Sequence, residues 1–217
     1  MTVESNPTVP KPFTYHFKRN PLDRKRRLVI TPEYLEFEDD ELISNPYKKF
    51  EKAAIAALKY YIEPIVFELV IGHSYHIDVR NLAGEEMKIV FKSFFAYKNP
   101  PQHARFSEMV NLIWEYFFAE AANALLLKFS RSEEFELCGV RFNKTGVVVK
   151  KDGFIKSSGF EIPFEKLQIK NYQEYFVLFS SEEPSGTCVS FVYKDVWNAL
   201  MLDLITKAII NDRQAVK

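Results

Sequence analysis

Four consecutive cations, Arg24, Lys25, Arg26 and Arg27, stand near the start of the chain. With Lys11, Lys18 and Arg19 they give segment 11–27 seven positive charges against Asp23 alone, a net of +6. The next stretch, Glu33 to Glu41, holds Glu33, Glu36, Glu38, Asp39, Asp40 and Glu41 with no basic residue, a net of −6. Clustered cations hold anionic lipid head groups or phosphates, at ~1 kcal/mol per residue near a charged membrane surface. Arg24, Lys25, Arg26 and Arg27 are therefore a candidate anionic-ligand site. The competing use of the same residues is mutual neutralisation, with the basic and acidic stretches complementing one another on one surface.

A second constellation is apolar. Phe94, Phe95, Tyr97 and Phe106 surround Asn99-Pro100-Pro101, and Tyr172, Tyr175, Phe176 and Phe179 crowd one stretch further on. Rings at strand edges and beside prolines are favoured in protein interfaces. This makes Phe94, Phe95, Tyr97, Tyr172 and Tyr175 candidate interface residues, with core packing as the alternative use of the same rings.

Groups that would carry catalysis are sparse. Of the four histidines, His16, His73, His76 and His103, the pair His73 and His76 flanks Ser74-Tyr75 and lacks a third ligand at suitable spacing. No HExxH, CxxC, Gly-rich phosphate loop or GxSxG occurs. The carboxylate runs Asp39-Asp40-Glu41 and Glu133-Glu134 lie in polar contexts where nothing raises a pKa. The sequence thus predicts no enzyme, no cofactor and no metal site. A hydrolase with an unrecognised constellation is the least favoured reading. Cys138 and Cys188 lie among strand-like residues and read as reduced, partly buried thiols.

The elements that must position these residues follow from composition and periodicity. The 217 residues carry 29 Lys+Arg and 29 Asp+Glu, with 47% hydrophobic, 27% charged and 15% aromatic residues but only 7 glycines. That is a globular composition and no general nucleic-acid binder, and so much ring volume needs a packed core or interface to cover it. The N-terminus lacks the apolar run of a secretory signal, and the apolar stretches Phe117–Leu127 and Ala199–Ile210 are interrupted by Glu120, Asn123, Asp203 and Lys207. No transmembrane segment and a cytoplasmic location are expected.

Residues 1–27, with four prolines and the basic run, read as an extended arm holding one short strand at Phe13–Phe17. Short strands are expected at Leu28–Ile30 and Tyr34–Phe37. Pro46–Tyr61 is open between helix and strand, with strand favoured at the Tyr60 end because Pro64 stops a helix. Strands at Ile65–Ile71, Ser74–Val79 and Met87–Phe91 are separated by turns at Gly72-His73 and Leu82–Glu85. Tyr75, Ile77 and Val79 alternate with His76, Asp78 and Arg80, the signature of a half-exposed antiparallel strand. The period then changes: Phe106, Met109, Val110, Ile113, Trp114, Phe117, Phe118 and Ala121 recur as one helical stripe. Further strands are expected at Phe135–Phe142, Gly146–Lys150, Phe160–Pro163, Leu167–Ile169, Glu174–Ser180 and Thr187–Tyr193. A final helix follows, capped by Asp195, with Trp197, Leu200, Met201, Leu204, Ile205 and Ala208 as its buried stripe. Trp114 and Trp197 are expected to anchor the two helices in the core.

Strands followed by one amphipathic helix therefore occur twice. A small, strongly bent antiparallel sheet closed at one end by such a helix resembles the pleckstrin-homology-like fold. The strands from Phe135 to Tyr193 and the helix bearing Trp197 are similar to the strands and capping helix of that fold. The resemblance is one of layout over most of residues 28–211, and it extends to uncharacterised bacterial proteins with two such domains in tandem. It implies an α+β, mainly β protein of two small antiparallel barrels or bent sheets, each closed by a C-terminal amphipathic helix. The implied organisation is an arm over 1–27, a first domain over 28–130 with its helix at about 106–129, and a second over 131–217 with its helix at about 195–211. The fold hosts lipid binding, peptide binding and scaffolding. In its phosphoinositide-binding members, basic residues on the first two strands and their loop hold the head group; here the run Arg24–Arg27 precedes the first expected strand of the domain. The expected role is a non-catalytic interaction module that binds protein through strand edges or a sheet–helix groove. A peripheral adaptor on an anionic membrane surface is the alternative.

Overall fold

The computed structural model describes residues 11–20, 22–39, 47–94, 100–151 and 158–215. Phe95, Tyr97, Asp40 and Glu41 lie outside the described residues. The chain divides into two compact units, one of residues 1–56 and 63–117 and one of residues 57–62 and 118–217. It is an α+β protein, mainly strand, whose described residues form four antiparallel sheets. Among the described residues no sheet closes into a barrel, so only the open, antiparallel part of the expected architecture is present. No helix among them is long and apolar enough to cross a membrane.

In the first unit, β1 (Phe13–Phe17), β2 (Arg26–Ile30), β3 (Tyr34–Phe37) and β4 (Lys48–Glu51) form one antiparallel sheet in that order. The described part of the segment read as an arm is therefore strand β1 and its connection to β2, with Tyr15 opposite Leu28 and Phe17 opposite Arg26. Alternation explains why: Tyr15 and Phe17 are buried while Thr14 and His16 point outward, so β1 has an apolar face to cover. Ala53 and Ala54 sit in a single 3-10 turn, Lys52–Ala54, and β5 (Ile55–Phe67) begins beside it. The strand reading of the Tyr60 end holds. Pro64 lies inside β5, which stands at the outside of a sheet ordered β5, β6 (Leu69–Asn81), β7 (Glu86–Phe94), the place where a missing N–H does least harm.

β6 passes straight through Gly72-His73, and the turn lies earlier, at Glu68 with φ 55°. Gly72 marks a close approach and not a turn: a Cβ there would stand 2.1 Å from the Ser93 carbonyl oxygen of β7. Tyr75, Ile77 and Val79 face Phe91, Ile89 and Met87 across the pair, and all six are buried. Asp78 is buried as well, so the polar face of β6 is more covered than its alternation predicts.

α1 (Pro100–Ile113) lays Phe106 against Tyr75 and Phe91, with ring centroids 5.4 and 6.3 Å apart. Pro100 and Pro101 open this helix instead of ending a loop, because the first turn needs no N–H from them. The expected stripe holds through Ile113. A π turn at Trp114–Phe118 then inserts an extra residue before α2 (Ala119–Ser130). The stripe slips by one position, so that Ala122 is buried and Ala121 exposed.

In the second unit, β8 (Phe135–Leu137) and β9 (Val140–Phe142) replace the single strand expected over 135–142. They are joined by Cys138-Gly139, both at positive φ (53° and 76°), a two-residue hairpin turn whose twist matches its strands. With β10 (Gly146–Lys151) and β11 (Ser158–Pro163) they form a sheet ordered β11-β10-β9-β8. β12 (Leu167–Asn171), β13 (Tyr175–Ser180) and β14 (Val189–Val192) form the next. The last helix, α3 (Ala199–Ala215), starts four residues beyond the expected cap Asp195. Asn198 stands before it at φ 62°; its side-chain oxygen accepts the Leu58 N–H (3.0 Å) and its own N–H donates to the Leu58 carbonyl (2.9 Å).

The buried face of α3 keeps Met201 and Ile205 of the expected stripe but is turned away from Leu204. Leu202, Asp203, Ile205, Thr206 and Ile209 face inward and Leu204 is exposed. Asp203 is buried because Asn171, Tyr193 and Lys207 hydrogen-bond it, which allows a carboxylate where hydropathy expects a leucine. Trp114 and Trp197 are half-buried and are not core anchors; Lys59 places its ammonium 4.3 Å from the Trp197 ring.

Candidate functional site

The basic run meets the acidic stretch. Antiparallel pairing of β2 with β3 sets Leu28 opposite Phe37, which brings the residues before β2 beside those after β3. Arg24 then pairs with Glu38, and Arg27 with Glu36 at 2.9 Å. Arg26 is 1% exposed: its guanidinium grips both oxygens of Asp23 (2.8 and 3.2 Å) and donates to the Glu38 and Asp39 carbonyls (2.9 and 3.3 Å). Lys25 is exposed. Burial raises the Asp23 pKa, but the hydrogen bond from Arg26 and its charge outweigh that and hold the carboxyl below its ordinary value. Glu38 behaves alike: burial is outweighed by the Tyr47 hydroxyl, 2.7 Å away, and by Arg24. Three of the four cations proposed for an anionic ligand thus already hold carboxylates of this chain.

Of the candidate interface rings, Phe94 is half-buried and Phe95 and Tyr97 lie outside the described residues. Tyr172, exposed, stacks on half-buried Tyr175 with centroids 4.6 Å apart, and Lys170 stands 5.2 Å from the Tyr172 ring. Phe106 and Phe176 are core.

Phe94 belongs to a groove of about 280 Å³ in the first unit that no short motif announces. Three elements make it. On β1 and just beyond, alternation turns Phe17 inward and leaves His16 and Lys18 at the rim. On β7 the same rule buries Phe91 and exposes Lys92. On α1, Gln102 and Arg105 stand three residues apart, on one face of the helix. Phe17 and Phe91, with centroids 5.0 Å apart, form the floor. Lys18, Lys92 and Arg105 bring three positive charges, and among the described residues no carboxylate lines the groove. β1 and β7 are each the last strand of their sheet, so the groove lies beside two strand edges. Only Phe94 of this set was singled out from sequence. The signal for the others lies on the outward positions of β1 and β7, and it becomes legible once those strands are known to end their sheets.

Two further clusters lie outside this groove. A larger one of about 720 Å³ in the second unit is walled by Leu126, Phe129, Phe164, Ile209 and Ile210. Arg213 covers the Phe129 and Phe164 rings at 5.6 and 5.5 Å, and Glu165 and Asp212 oppose its charge. It is apolar with opposed charges, and nothing in it converges on a ligand of one sign. In the buried Asp203 cluster one carboxylate oxygen takes the bonds from Asn171, Tyr193 and Lys207, and the other faces the Lys207 ammonium at 3.0 Å. Burial, then the Asp203 charge, raises the pKa of Tyr193 and of Tyr60, and Tyr60 stacks on Tyr193 at 6.3 Å.

The histidines do not assemble a metal centre. The His73 and His103 rings lie 5.5 Å apart, and His76 bonds Ser74 at 2.7 Å with its pKa lowered by burial. Among the described residues no group of three or more His, Cys, Asp or Glu is placed to hold a metal ion.

The cysteines differ from one another. Cys138 donates to the Trp197 carbonyl at 3.2 Å, and burial pushes its thiol up to about 12, whereas Cys188 is exposed. A disulfide reagent at neutral pH is expected to label Cys188 rapidly and Cys138 only after unfolding. Rapid labelling of both in the folded chain would contradict this environment. No protein-family model and no curated protein matches this chain.

Proposed function

We propose that this chain is a non-catalytic interaction protein of two pleckstrin-homology-like domains, whose first unit captures an acidic, extended segment of a partner protein. One feature supports the domain reading. A four-stranded sheet, a three-stranded sheet and a helix follow one another twice, as β1–β7 with α1 and as β8–β14 with α3. The binding reading rests on one observation: Lys18, Lys92 and Arg105 converge from three elements on a groove that has no carboxylate among its described residues, beside the ends of two sheets. A cytoplasmic setting belongs to the same proposal.

Magnitudes say what the groove needs from its ligand. Exposed ion pairs contribute about 0.2–1 kcal/mol each, so three of them supply at most ~3 kcal/mol, short of the ~4 kcal/mol of a millimolar complex. A ligand that binds usefully must also place an apolar side chain against Phe94, Phe17 and Phe91 or bond its main chain to a strand edge. An extended segment alternating acidic and apolar residues does both.

The test is fluorescence anisotropy with a labelled peptide of alternating Glu and Phe. Binding is expected at low salt and should weaken as the screening length falls from about 30 Å to about 8 Å. Lys92→Glu combined with Arg105→Glu should weaken it at least tenfold, about 1.4 kcal/mol. A peptide with Gln in place of Glu should not bind. Binding indifferent to salt and to both substitutions would overturn the proposal.

A further inference from the structure

The tip of the β5–β6 hairpin carries a contiguous run of exposed apolar residues. Val66, Phe67, Leu69 and Val70 are 64%, 74%, 67% and 50% exposed and stand in consecutive positions on either side of Glu68. Single exposed apolar residues are ordinary; a contiguous set at the end of two long strands marks an interaction surface. Glu68 occupies the turn at positive φ, and no Lys or Arg lies between Ile62 and Ile71.

We infer that this tip seats in the basic groove of a second copy of the chain. The inference rests on the proposed role of that groove and names its occupant. Charge and shape carry it. Phe67 and Glu68 present a ring and a carboxylate side by side, and the groove presents a phenyl floor and cations. At about 280 Å³ the groove is smaller than the ~300–1,000 Å³ of sites that enclose small molecules, and it suits one anchoring side chain. The β1 and β7 ends of the two sheets offer places for an incoming strand to pair. A lipid surface is the poorer occupant, because a carboxylate at the apex opposes entry into the bilayer and is repelled by anionic head groups. The contact is heterologous: tip on one copy, groove on the other.

Sedimentation velocity of the full chain over a range of concentrations tests this. The wild-type chain should self-associate. Glu68→Lys alone, and Lys92→Glu with Arg105→Glu together, should each weaken association at least tenfold. These positions are exposed, and unchanged circular dichroism would confirm that the variants fold. A mixture of the two variants should recover association, since the second variant's tip meets the first variant's intact groove. A monomeric wild-type chain would overturn the inference, as would variants that associate normally or a mixture that stays monomeric. So would binding to neutral vesicles that is lost on Phe67→Ser. Anisotropy with the Glu–Phe peptide on the same proteins keeps the two proposals apart. A monomer that binds the peptide retains the groove and refutes only its self-occupancy; failure of the peptide refutes the groove reading itself.

Discussion

Replacing Arg26 by alanine is expected to destabilise the first unit by about 3–5 kcal/mol, the range for breaking a buried ion pair by removing one partner. The substitution takes from the Asp23 carboxylate the two side-chain nitrogens that grip it and leaves the Glu38 carbonyl without the guanidinium that donates to it, while the Asp39 carbonyl keeps only its bond from Arg19. Each of these groups loses charge-assisted bonds that water cannot replace at a buried position. Urea denaturation followed by fluorescence reports the loss, since Trp114 belongs to the first unit and Trp197 to the second. A loss below about 1 kcal/mol would mean that Arg26 is dispensable.

The same interactions set a pH dependence. Asp23 and Glu38 have folded-state pKa values below their ordinary ones. Depressed carboxylates contribute stability that is fully present above their unfolded values, near 4, and is lost as pH falls through the folded values. The wild-type first unit should therefore weaken on the acid side of about pH 4. In the Arg26→Ala chain the Asp23 part of that slope should shrink, because its pKa returns toward the ordinary value.

Gly72→Ala is expected to cost about 3 kcal/mol, the upper part of the range for overpacking. The new methyl would stand 2.1 Å from the Ser93 carbonyl oxygen and 3.0 Å from the Phe94 Cα. Both are backbone atoms, so the clash cannot be relieved by a rotamer, and the end of β7 must move away from β6. That end carries Lys92 and Phe94 into the basic groove, so peptide binding should fall together with stability. Gly159→Ala is the control: its nearest neighbours, in Val148 and Val149, stand at an ordinary 3.6 Å, and the change should stay within about 0.5 kcal/mol. Equal effects of the two substitutions would show that strand propensity and not the close approach dominates.

Much of the secondary structure is legible because its cause is local. β1 at Phe13–Phe17 and β3 at Tyr34–Phe37 coincide with their alternating residues. The buried face of β6 and the stripe of α1 through Ile113 follow from periods of two and 3.6. Departures begin where a backbone event shifts the phase. The π turn at Trp114–Phe118 moves the stripe from Ala121 to Ala122, and the Cys138-Gly139 turn divides one apparent strand into two. At Gly72 a glycine that suggests a turn answers to the carbonyl of a strand some twenty residues away.

What the sequence determined by itself is thus most of the order of strands and helices, the apolar faces of β1, β6 and α1, and the opposed charge of segments 11–27 and 33–41, since each depends on neighbours within a few positions. Tertiary structure alone decided which of the charged side chains meet. Arg26 enters the interior because antiparallel pairing of β2 and β3 delivers the Glu38 and Asp39 carbonyls to it, beside Asp23 of its own segment. Lys18, Lys92 and Arg105 meet because the last strands of two sheets and a helix bound one groove. No local pattern records that meeting: the distances that govern electrostatics are distances in space, and folding sets them between residues far apart along the chain.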